Sequence, residues 1–193
     1  VTGVQTCALP ISCRQPCRDS ASLALADQAV DKAFSAAPRL AQAFYTRALI
    51  RRATGRYEDA ISNLNQALAL DPSHYEAHRL LGALFDQTGK IAEAEQAYQQ
   101  AVRLKPSFWP TYSNLGAFYY SHGKMAEAEE AFQTAARLAP NNQANHRNLG
   151  SLYLVLGRHA EGEQALRRSI ALRPTAPALS NHGAHEFRSE ERR

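Results

Sequence analysis

The sequence has few of the residues that several kinds of functional site require. It contains three cysteines in 193 residues. Cys13 and Cys17 lie in a short polar stretch with no second Cys/His pair downstream at the spacing of zinc ligands. A metal site is therefore poorly supported, and so few cysteines do not define the redox compartment. No run approaches the roughly 18 apolar residues of a membrane-spanning helix, so we expect no membrane segment in this part of the chain.

Catalytic motifs are missing as well. The ten glycines are spaced along the chain and do not cluster as in a phosphate-binding loop, and there is no H-E-x-x-H sequence. Among the seven histidines, His122, His146 and His159 stand alone, and none has a partner at catalytic spacing. His182 and His185 lie in a C-terminal segment that is better explained as a solvated tail than as a metal site. The sequence therefore predicts no catalytic site, no cofactor and no metal, and we expect the chain not to be an enzyme.

The charge balance does not indicate a nucleic-acid surface. The formal net charge is +4, with a pI of about 9.1. A surplus this small, without lysine-rich or aromatic-interleaved patches, gives no basic face for a phosphate backbone. We therefore expect no nucleic acid among the partners.

Both ends of the sequence have an unusual character. Residues 1–11, VTGVQTCALPI, resemble the in-frame translation of a sequencing adapter, and residues 188–193, RSEERR, resemble the opposite adapter. This resemblance implies a metagenomic fragment whose natural termini are missing, with further repeats in the natural protein. Because a targeting segment could not be read in such a fragment, the compartment is left open, with only a weak preference for the cytoplasm.

The interior of the chain repeats every 34 residues. Prolines keep this step at Pro38, Pro72, Pro106, Pro140 and Pro174. Glycines keep it in two further series: Gly55, Gly89, Gly123 and Gly157, and Gly82, Gly116 and Gly150. Alanine follows the same step at Ala26, Ala60, Ala94 and Ala128, where Gly162 continues the series. Four phased series of this kind are typical of a repeat architecture.

The motif within each period resembles the tetratricopeptide repeat, whose pattern is W-x2-L-G-x2-Y, then A-x3-F, then P. Two units match it best, with Leu81, Gly82, Phe85, Ala94, Tyr98 and Pro106 in one, and Leu115, Gly116, Tyr119, Ala128, Phe132 and Pro140 in the next. The resemblance implies an all-α fold, an α-solenoid of stacked helix-turn-helix repeats that forms a right-handed superhelix.

The periodicity divides the chain into predicted units. Four whole repeats are expected at residues 41–74, 75–108, 109–142 and 143–176, and residues 21–40 are expected to contain only the second helix of a half repeat. Residues 1–20 are predicted to be disordered and residues 177–193 to be a truncated tail. This gives nine helices over about residues 22–176. Neither end shows a polar cap, so we expect self-association through uncapped repeat ends.

Local signals predict where each helix ends. Gly55, Gly89, Gly123 and Gly157 should close the first helices in the left-handed conformation. Leucines two residues before the prolines should end the second helices, because a proline restricts the residue before it. The small residues in the Gly82 series should let two helix axes approach closely, and the face of Ala94, Tyr98 and Ala101 should be buried.

The resemblance places function in a concave groove lined by first helices. It implies these groove residues: Tyr45, Arg52, Arg79, Asp86, Gln87, Asn114, Tyr120, Arg147 and Asn148. Tyrosine and arginine are enriched at binding hot spots, so this mixture suits a protein or an extended peptide. The sequence equally allows an ordinary solvated face.

Two functions are compatible with such a groove. The first is a free-standing scaffold for protein–protein interaction, and the alternative is the substrate-recruiting arm of a larger enzyme, a glycosyltransferase or a sulfotransferase. Asn114 and Asn148 occupy the same site one repeat apart, which resembles the asparagine series of repeat arms attached to glycosyltransferases. The lysine and asparagine clamp for C-terminal carboxylates is not matched, because its sites hold Tyr45, Leu49, Leu80 and Glu76.

Overall fold

The computed structural model describes residues 40–172, together with the isolated helical positions 25, 28, 29 and 32. The continuous part contains eight helices and no strand. In chain order the helices are α1 (Ala41–Ala53), α2 (Tyr57–Leu70), α3 (Tyr75–Gln87), α4 (Ile91–Leu104), α5 (Trp109–Ser121), α6 (Met125–Leu138), α7 (Gln143–Val155) and α8 (His159–Leu172). The predicted all-α solenoid is confirmed over this part of the chain.

The helices pair in sequence as four hairpins, α1–α2, α3–α4, α5–α6 and α7–α8. Every first helix has 13 residues and every second helix has 14. The predicted helix of the half repeat falls almost entirely outside the described residues, as do the predicted disordered start and the truncated tail. Those predictions remain untested.

The glycine that follows each first helix has the left-handed backbone predicted for it. The four φ angles lie between 74° and 78°. In the first hairpin the N–H of Gly55 donates to Arg52 O at 3.1 Å, and the N–H of Arg56 donates to Arg51 O at 2.8 Å. This pattern satisfies the last carbonyls of the helix, and its positive φ strains any residue other than glycine. The turn sequence therefore fixes the end of each first helix and the reversal of the chain.

A second set of glycines brings the two helices of a hairpin together. A Cβ atom at Gly82 would lie 2.8 Å from the ring of Tyr98, and one at Gly116 would lie 2.6 Å from the ring of Phe132. A Cβ atom at Gly150 would lie 2.7 Å from the side chain of Leu166. The large residue of each second helix therefore occupies the space that a side chain at the glycine would take. This is the close approach of helix axes that the sequence predicted.

Second helices bury the alanine face that the sequence predicted. Ala60, Leu64 and Ala67 are fully buried in α2, and Ala94 and Ala101 are fully buried in α4. The second helices end at Leu70, Leu104, Leu138 and Leu172, each two residues before a proline. No described helix is long and apolar enough to cross a membrane.

Successive hairpins stack so that first helices lie on the inner side. Helix α3 contacts α5, and α5 contacts α7, whereas successive second helices approach each other less closely. A stack whose first helices come closer together than its second helices curves toward the first helices. The concave face of the solenoid is therefore formed by α1, α3, α5 and α7.

Candidate functional site

The concave face has a floor of small side chains. Ala83 in α3, Ala117 in α5 and Ser151 in α7 occupy equivalent sites one repeat apart. Ala117 is exposed, so its surroundings leave room above it. These residues were not among the groove residues predicted above, although their 34-residue spacing is visible in the sequence. Ala83 is partly buried and packs against the core, so the floor is open chiefly at Ala117.

Arg79 lies beside this floor in the second hairpin. Its side chain is half-buried, and its Nε atom is buried without a hydrogen-bond partner. Leaving a buried donor unpaired costs about 1–3 kcal/mol, which makes such a group unusual. Burial raises the pKa of the nearby Tyr45 hydroxyl, and the positive charge of Arg79 opposes that rise. Arg79 therefore has a buried, unpaired Nε donor, and its charge acts on the hydroxyl of Tyr45.

Two other predicted groove arginines also lack an acidic partner. Arg147 in α7 is half-buried, and Arg52 in α1 is exposed. Neither makes an ion pair with a residue in the described part of the chain. Arg52 is close enough to Tyr45 to lower the pKa of that hydroxyl, against the larger effect of burial. Positive charge thus occurs on α1, α3 and α7.

The acidic groups near the groove are already engaged. Glu76 accepts a hydrogen bond from the Tyr75 hydroxyl at 2.7 Å and lies 3.5 Å from His74 Nδ1. Asp86 Oδ1 lies 3.3 Å from His122 Nε2, at the end of the next first helix. The carboxylates of this face therefore make polar contacts within the protein, whereas Arg52, Arg79 and Arg147 make no ion pair with a described residue.

The contact between Asp86 and His122 corrects one expectation. His122 was expected to stand alone, but it bridges two hairpins and also stacks on Phe118 at 4.5 Å between ring centroids. The sequence could not reveal this contact, because the two residues lie 36 positions apart and meet only through stacking.

Ser121, His122 and Asp86 nevertheless do not form a nucleophilic triad. The Ser121 hydroxyl lies 3.1 Å from His122 Nδ1, but it also donates to Phe118 O at 2.9 Å. His122 Nδ1 faces the same carbonyl oxygen at 2.8 Å, and Nε2 faces Asp86. The serine proton is therefore directed at a backbone carbonyl of its own helix and not at the imidazole.

The amide groups of the predicted site differ in their contacts. Asn148 Nδ2 donates to the Ser113 hydroxyl at 3.2 Å, which links α7 to α5. Asn114 makes no hydrogen bond with a residue that the structure describes. Gln87 donates to the Tyr57 hydroxyl at 3.0 Å, so its amide lies toward the turn of the preceding hairpin. Asn114 is therefore the amide with the most unused hydrogen-bonding capacity.

Contacts between repeats also occur on the turn side, which the sequence analysis did not anticipate. Lys124 Nζ lies 2.6 Å from Glu95 Oε2, and Arg158 Nη1 lies 2.8 Å from Glu129 Oε1. We call these two contacts the turn-side ion pairs. They connect successive hairpins through second helices and turns, away from the concave face. Within residues 40–172 no group of three or more His, Cys, Asp or Glu side chains is arranged to hold a metal.

Comparisons with known proteins agree with this architecture. The crystal structure of MamA superposes with a TM-score of 0.70 at 23% identity, covering 80% of this chain and 91% of that one. YrrB, described as a TPR protein with an unusual peptide-binding site, gives a TM-score of 0.66 at 20% identity, covering 83% and 84%. The Cut9–Hcn1 hetero-tetramer of the APC/C gives 0.72 at 21%, covering 88% of this chain and 34% of that chain.

These likenesses concern the fold. The sequence matches none of the curated proteins. The profile of the tetratricopeptide repeat family matches residues 45–107 and 115–177, which together are more than half of the chain. The four stacked hairpins, with their glycine turns and close helix crossings, agree with that match over the described residues. The chain belongs to the tetratricopeptide repeat family.

Proposed function

We propose that this protein is a protein–protein interaction scaffold that holds an extended peptide segment along its concave face. The observation that carries the proposal is the floor of small residues at Ala83 and Ala117, flanked by polar side chains with unused hydrogen-bonding capacity. An extended backbone needs both space and donors along its length.

The flanking groups suit such a segment. Arg79, Arg147 and Asn114 have no hydrogen bond to any described residue, and Tyr120 is half-buried on α5. A tyrosine ring offers large contact area with little loss of conformational entropy, and arginine offers several fixed donors. The solved structure of YrrB, a member of the same repeat class, is described as having a peptide-binding site, which is consistent with this use of the fold.

The experiment is a selection of peptides from a random display library on the full chain, followed by affinity measurement with a groove-blocking variant. Ala117→Phe places a ring over the floor without disturbing the core, because Ala117 is exposed. Ala126→Phe is the matched control, since Ala126 is exposed on α6, outside the concave face. We expect Ala117→Phe to weaken binding at least about tenfold, or about 1.4 kcal/mol, and Ala126→Phe to leave it unchanged. Equal affinity in both variants would exclude the groove.

A second function for the same groove is the substrate-recruiting arm of a larger enzyme. The observation that favours it is the repetition of Asn114 and Asn148 on adjacent first helices, where an amide can pair with a peptide backbone of any sequence. The contact between Asn148 and Ser113 occupies one donor of that pair. A catalytic domain in the same natural polypeptide would distinguish this function from that of a free-standing scaffold.

A further inference from the structure

We infer that the first hairpin carries a docking surface for an acidic helix, and that the occupant of this surface is the segment just before it, residues 21–37. In this arrangement Arg51 binds the carboxylate of Asp31, and Arg56 binds that of Asp27. Both aspartates lie outside the described residues. The surface is separate from the concave groove, so the inference is independent of the proposed function.

Two arginines of the first hairpin occupy sites that hold leucine and an aromatic residue in every later hairpin. Arg47 and Arg51 lie four residues apart on α1 and therefore share one face of the helix. The equivalent pairs in the later hairpins are Leu81 and Phe85, Leu115 and Tyr119, and Leu149 and Tyr153. Only 8% of Arg51 is exposed. Because burying a guanidinium group is costly unless an acceptor pairs with it, this face requires a polar neighbour.

The later hairpins show where the partner of the Arg51 site comes from. Gln99 in α4 donates a hydrogen bond to the hydroxyl of Tyr119 at 3.3 Å. Gln133 in α6 donates to the hydroxyl of Tyr153 at 3.2 Å. In both cases the partner lies on the second helix of the preceding hairpin, 20 residues earlier in the chain.

The same offset from Arg51 leads to Asp31. An arginine side chain is about as long as that of tyrosine, and aspartate is one methylene group shorter than glutamine. A guanidinium–carboxylate pair therefore fits the space that a phenol–amide pair occupies in the later hairpins. It is also the stronger hydrogen-bonded pair, because both partners are charged.

The turn-side ion pairs give a second relation of the same kind. Each joins an acid on a second helix to the basic residue 29 positions later, directly before the next second helix. From Arg56 this offset leads to Asp27. Arg158 pairs with two carboxylates at once, one of them three residues later in the chain. The contact of Arg56 with Asp59 at 3.9 Å, also three residues later, is therefore compatible with a second carboxylate.

The junction between α2 and α3 lacks both relations, and its residues explain why. Ile61 stands at the acidic site and is buried in the first apolar cluster, while Phe85 stands at the hydroxyl site. Lys90 pairs with Glu58 at 3.3 Å instead. The polar contacts thus occur only where the residues allow them, and before α1 the sequence supplies acids at both sites.

The described positions of the preceding segment agree with a docked helix. All four of them are helical and exposed: Leu25, Gln28, Ala29 and Lys32. Spacings of three and four residues place them on one face. That face includes Lys32, the one basic residue of the segment. At 3.6 residues per turn, Asp27 belongs to the opposite face and Asp31 to its edge, which leaves the acidic side for the first hairpin.

Hydrogen exchange of residues 21–37 in the full chain tests the docking, because a helix that leaves the stack exchanges its amide protons faster. We expect Arg51→Gln and Asp31→Asn each to speed this exchange at least about tenfold, since each leaves a buried charge or acceptor without its partner. Exchange in α5, α6 and α7 should stay at the parent's rate. Lys32→Gln is the matched control, because it removes an exposed charge from the same segment and should change nothing.

The pair of Arg56 and Asp27 should contribute less. We expect Arg56→Gln to speed exchange of residues 21–37 about threefold, because Arg56 is exposed and exposed ion pairs are weak. Raising the sodium chloride concentration should reduce the difference between this variant and the parent.

A double variant separates a specific pair from general damage to the hairpin. Arg51→Tyr combined with Asp31→Gln recreates the hydroxyl–amide pair that Tyr119 forms with Gln99. We expect it to restore exchange of residues 21–37 to within about threefold of the parent, while Arg51→Tyr alone and Asp31→Gln alone remain fast.

Three results would overturn the inference. The first is unchanged exchange of residues 21–37 in Arg51→Gln, and the second is a double variant that exchanges no more slowly than its single changes. The third is protection of residues 21–37 that increases with protein concentration, which would show that a second copy of the chain covers this face.

Discussion

Single glycines in this molecule differ in what surrounds them, and the difference determines how much an added methyl group should cost. At Gly116 a Cβ atom would lie 2.6 Å from the ring of Phe132, which is only 3% exposed and cannot move away. At Gly162 the nearest atom would be the flexible end of Leu154, at 2.8 Å. At the equivalent position the other hairpins carry an alanine. In the last hairpin Leu154 occupies the space that this alanine methyl group would take, which explains why glycine replaces alanine there.

We therefore predict different losses of stability for the same glycine-to-alanine substitution at Gly116 and at Gly162. Gly116→Ala should lower the free energy of unfolding by about 1–3 kcal/mol, because the crossing becomes overpacked. Gly162→Ala should cost less, about 1 kcal/mol, since rotation of Leu154 relieves the nearest contact, the Gly150 carbonyl oxygen at 3.2 Å needs only a small shift, and alanine favours helix. Urea denaturation measures both, and an equal loss in the two variants would contradict this explanation.

The buried hydroxyl of Tyr98 gives the fold a sensitivity to high pH. Burial raises the pKa of Tyr98 to about 12, with a further rise from the charge of Asp86. Its neutral form is favoured in the folded state, so the unfolded chain loses this proton first, near pH 10. The contribution of the Tyr98 hydroxyl to stability is therefore fully present below pH 10 and is lost as the pH rises toward 12.

We expect a loss of about 2–3 kcal/mol across this window from Tyr98 alone. Thermal melts between pH 9 and pH 11.5 should show a steeper decline for the parent than for Tyr98→Phe, which has no proton to lose. Burial also raises the pKa of Tyr45 and Tyr119, so part of the decline should remain in the variant. Parallel curves would show that the Tyr98 hydroxyl does not contribute.

Asn114 and Asn148 provide a prediction about binding at the same scale. For a peptide obtained by display selection, the double change Asn114→Ala and Asn148→Ala should weaken binding by about 1–3 kcal/mol, from two net hydrogen bonds. Most of the loss should come from Asn114, because Asn148 already donates to Ser113. Titrating the peptide into each single variant measures how the lost binding free energy is divided between Asn114 and Asn148. Unchanged affinity in a folded double variant would remove both amides from the site.

At the scale of elements, the turn-side ion pairs connect one hairpin to the next. Glu95 belongs to α4 and Lys124 is the residue directly before α6, and their hydrogen bond lowers the pKa of Glu95 and raises that of Lys124. A carboxylate with a lowered pKa stabilises the fold above its unfolded value and loses that contribution as the pH falls. The pairs should therefore strengthen hairpin stacking near neutral pH and cease to do so in acid.

The corresponding prediction concerns charge reversal. Lys124→Glu should lower the melting temperature at low salt, and adding Glu95→Lys should restore most of the loss by recreating the pair in the opposite direction. High salt or acid should shrink the difference between the variants, because both remove the attraction. Arg137→Glu, on an exposed side chain that makes no ion pair with a described residue, controls for net charge. A double variant no better than Lys124→Glu would show that the pair is not the cause.

The elements themselves could be predicted because their signals are local. Gly89 or Gly123 specifies a turn by its own conformational freedom, and Leu104 before Pro106 ends a helix whatever lies around it. Contacts between hairpins were not predictable in the same way. The Asp86–His122 and Lys124–Glu95 contacts depend on how far one hairpin rotates against the next, and that rotation is a property of the whole stack. The groove floor was missed because small residues carry no chemical signal of their own.

At the scale of the whole molecule, the core consists of two clusters joined in the second hairpin. The first cluster includes Leu64, Leu80 and Leu84 and extends from α1 to α4, while the second includes Phe118 and Leu152 and extends from α4 to α7. In a solenoid each hairpin contacts only its neighbours, so cooperative unfolding requires energetic coupling at every step. Phe85, half-buried in α3, packs against both clusters and is the side chain that connects them.

We predict that Phe85→Ala weakens this coupling more than its effect on total stability would indicate. The substitution should cost about 2–3 kcal/mol, less than the loss of a fully buried phenylalanine. It should also reduce the denaturant dependence of unfolding, because the two parts of the stack no longer unfold together. Hydrogen exchange should then show α1 and α2 opening at a different free energy from α5, α6 and α7. Leu152→Ala serves as the control, since Leu152 lies wholly within the second cluster and its loss, about 2–5 kcal/mol, should lower stability without separating α1 and α2 from α3. If Phe85→Ala keeps a single transition with the parent's denaturant dependence, the two clusters are coupled through other contacts, and the backbone stacking of α3 against α5 becomes the connection between them.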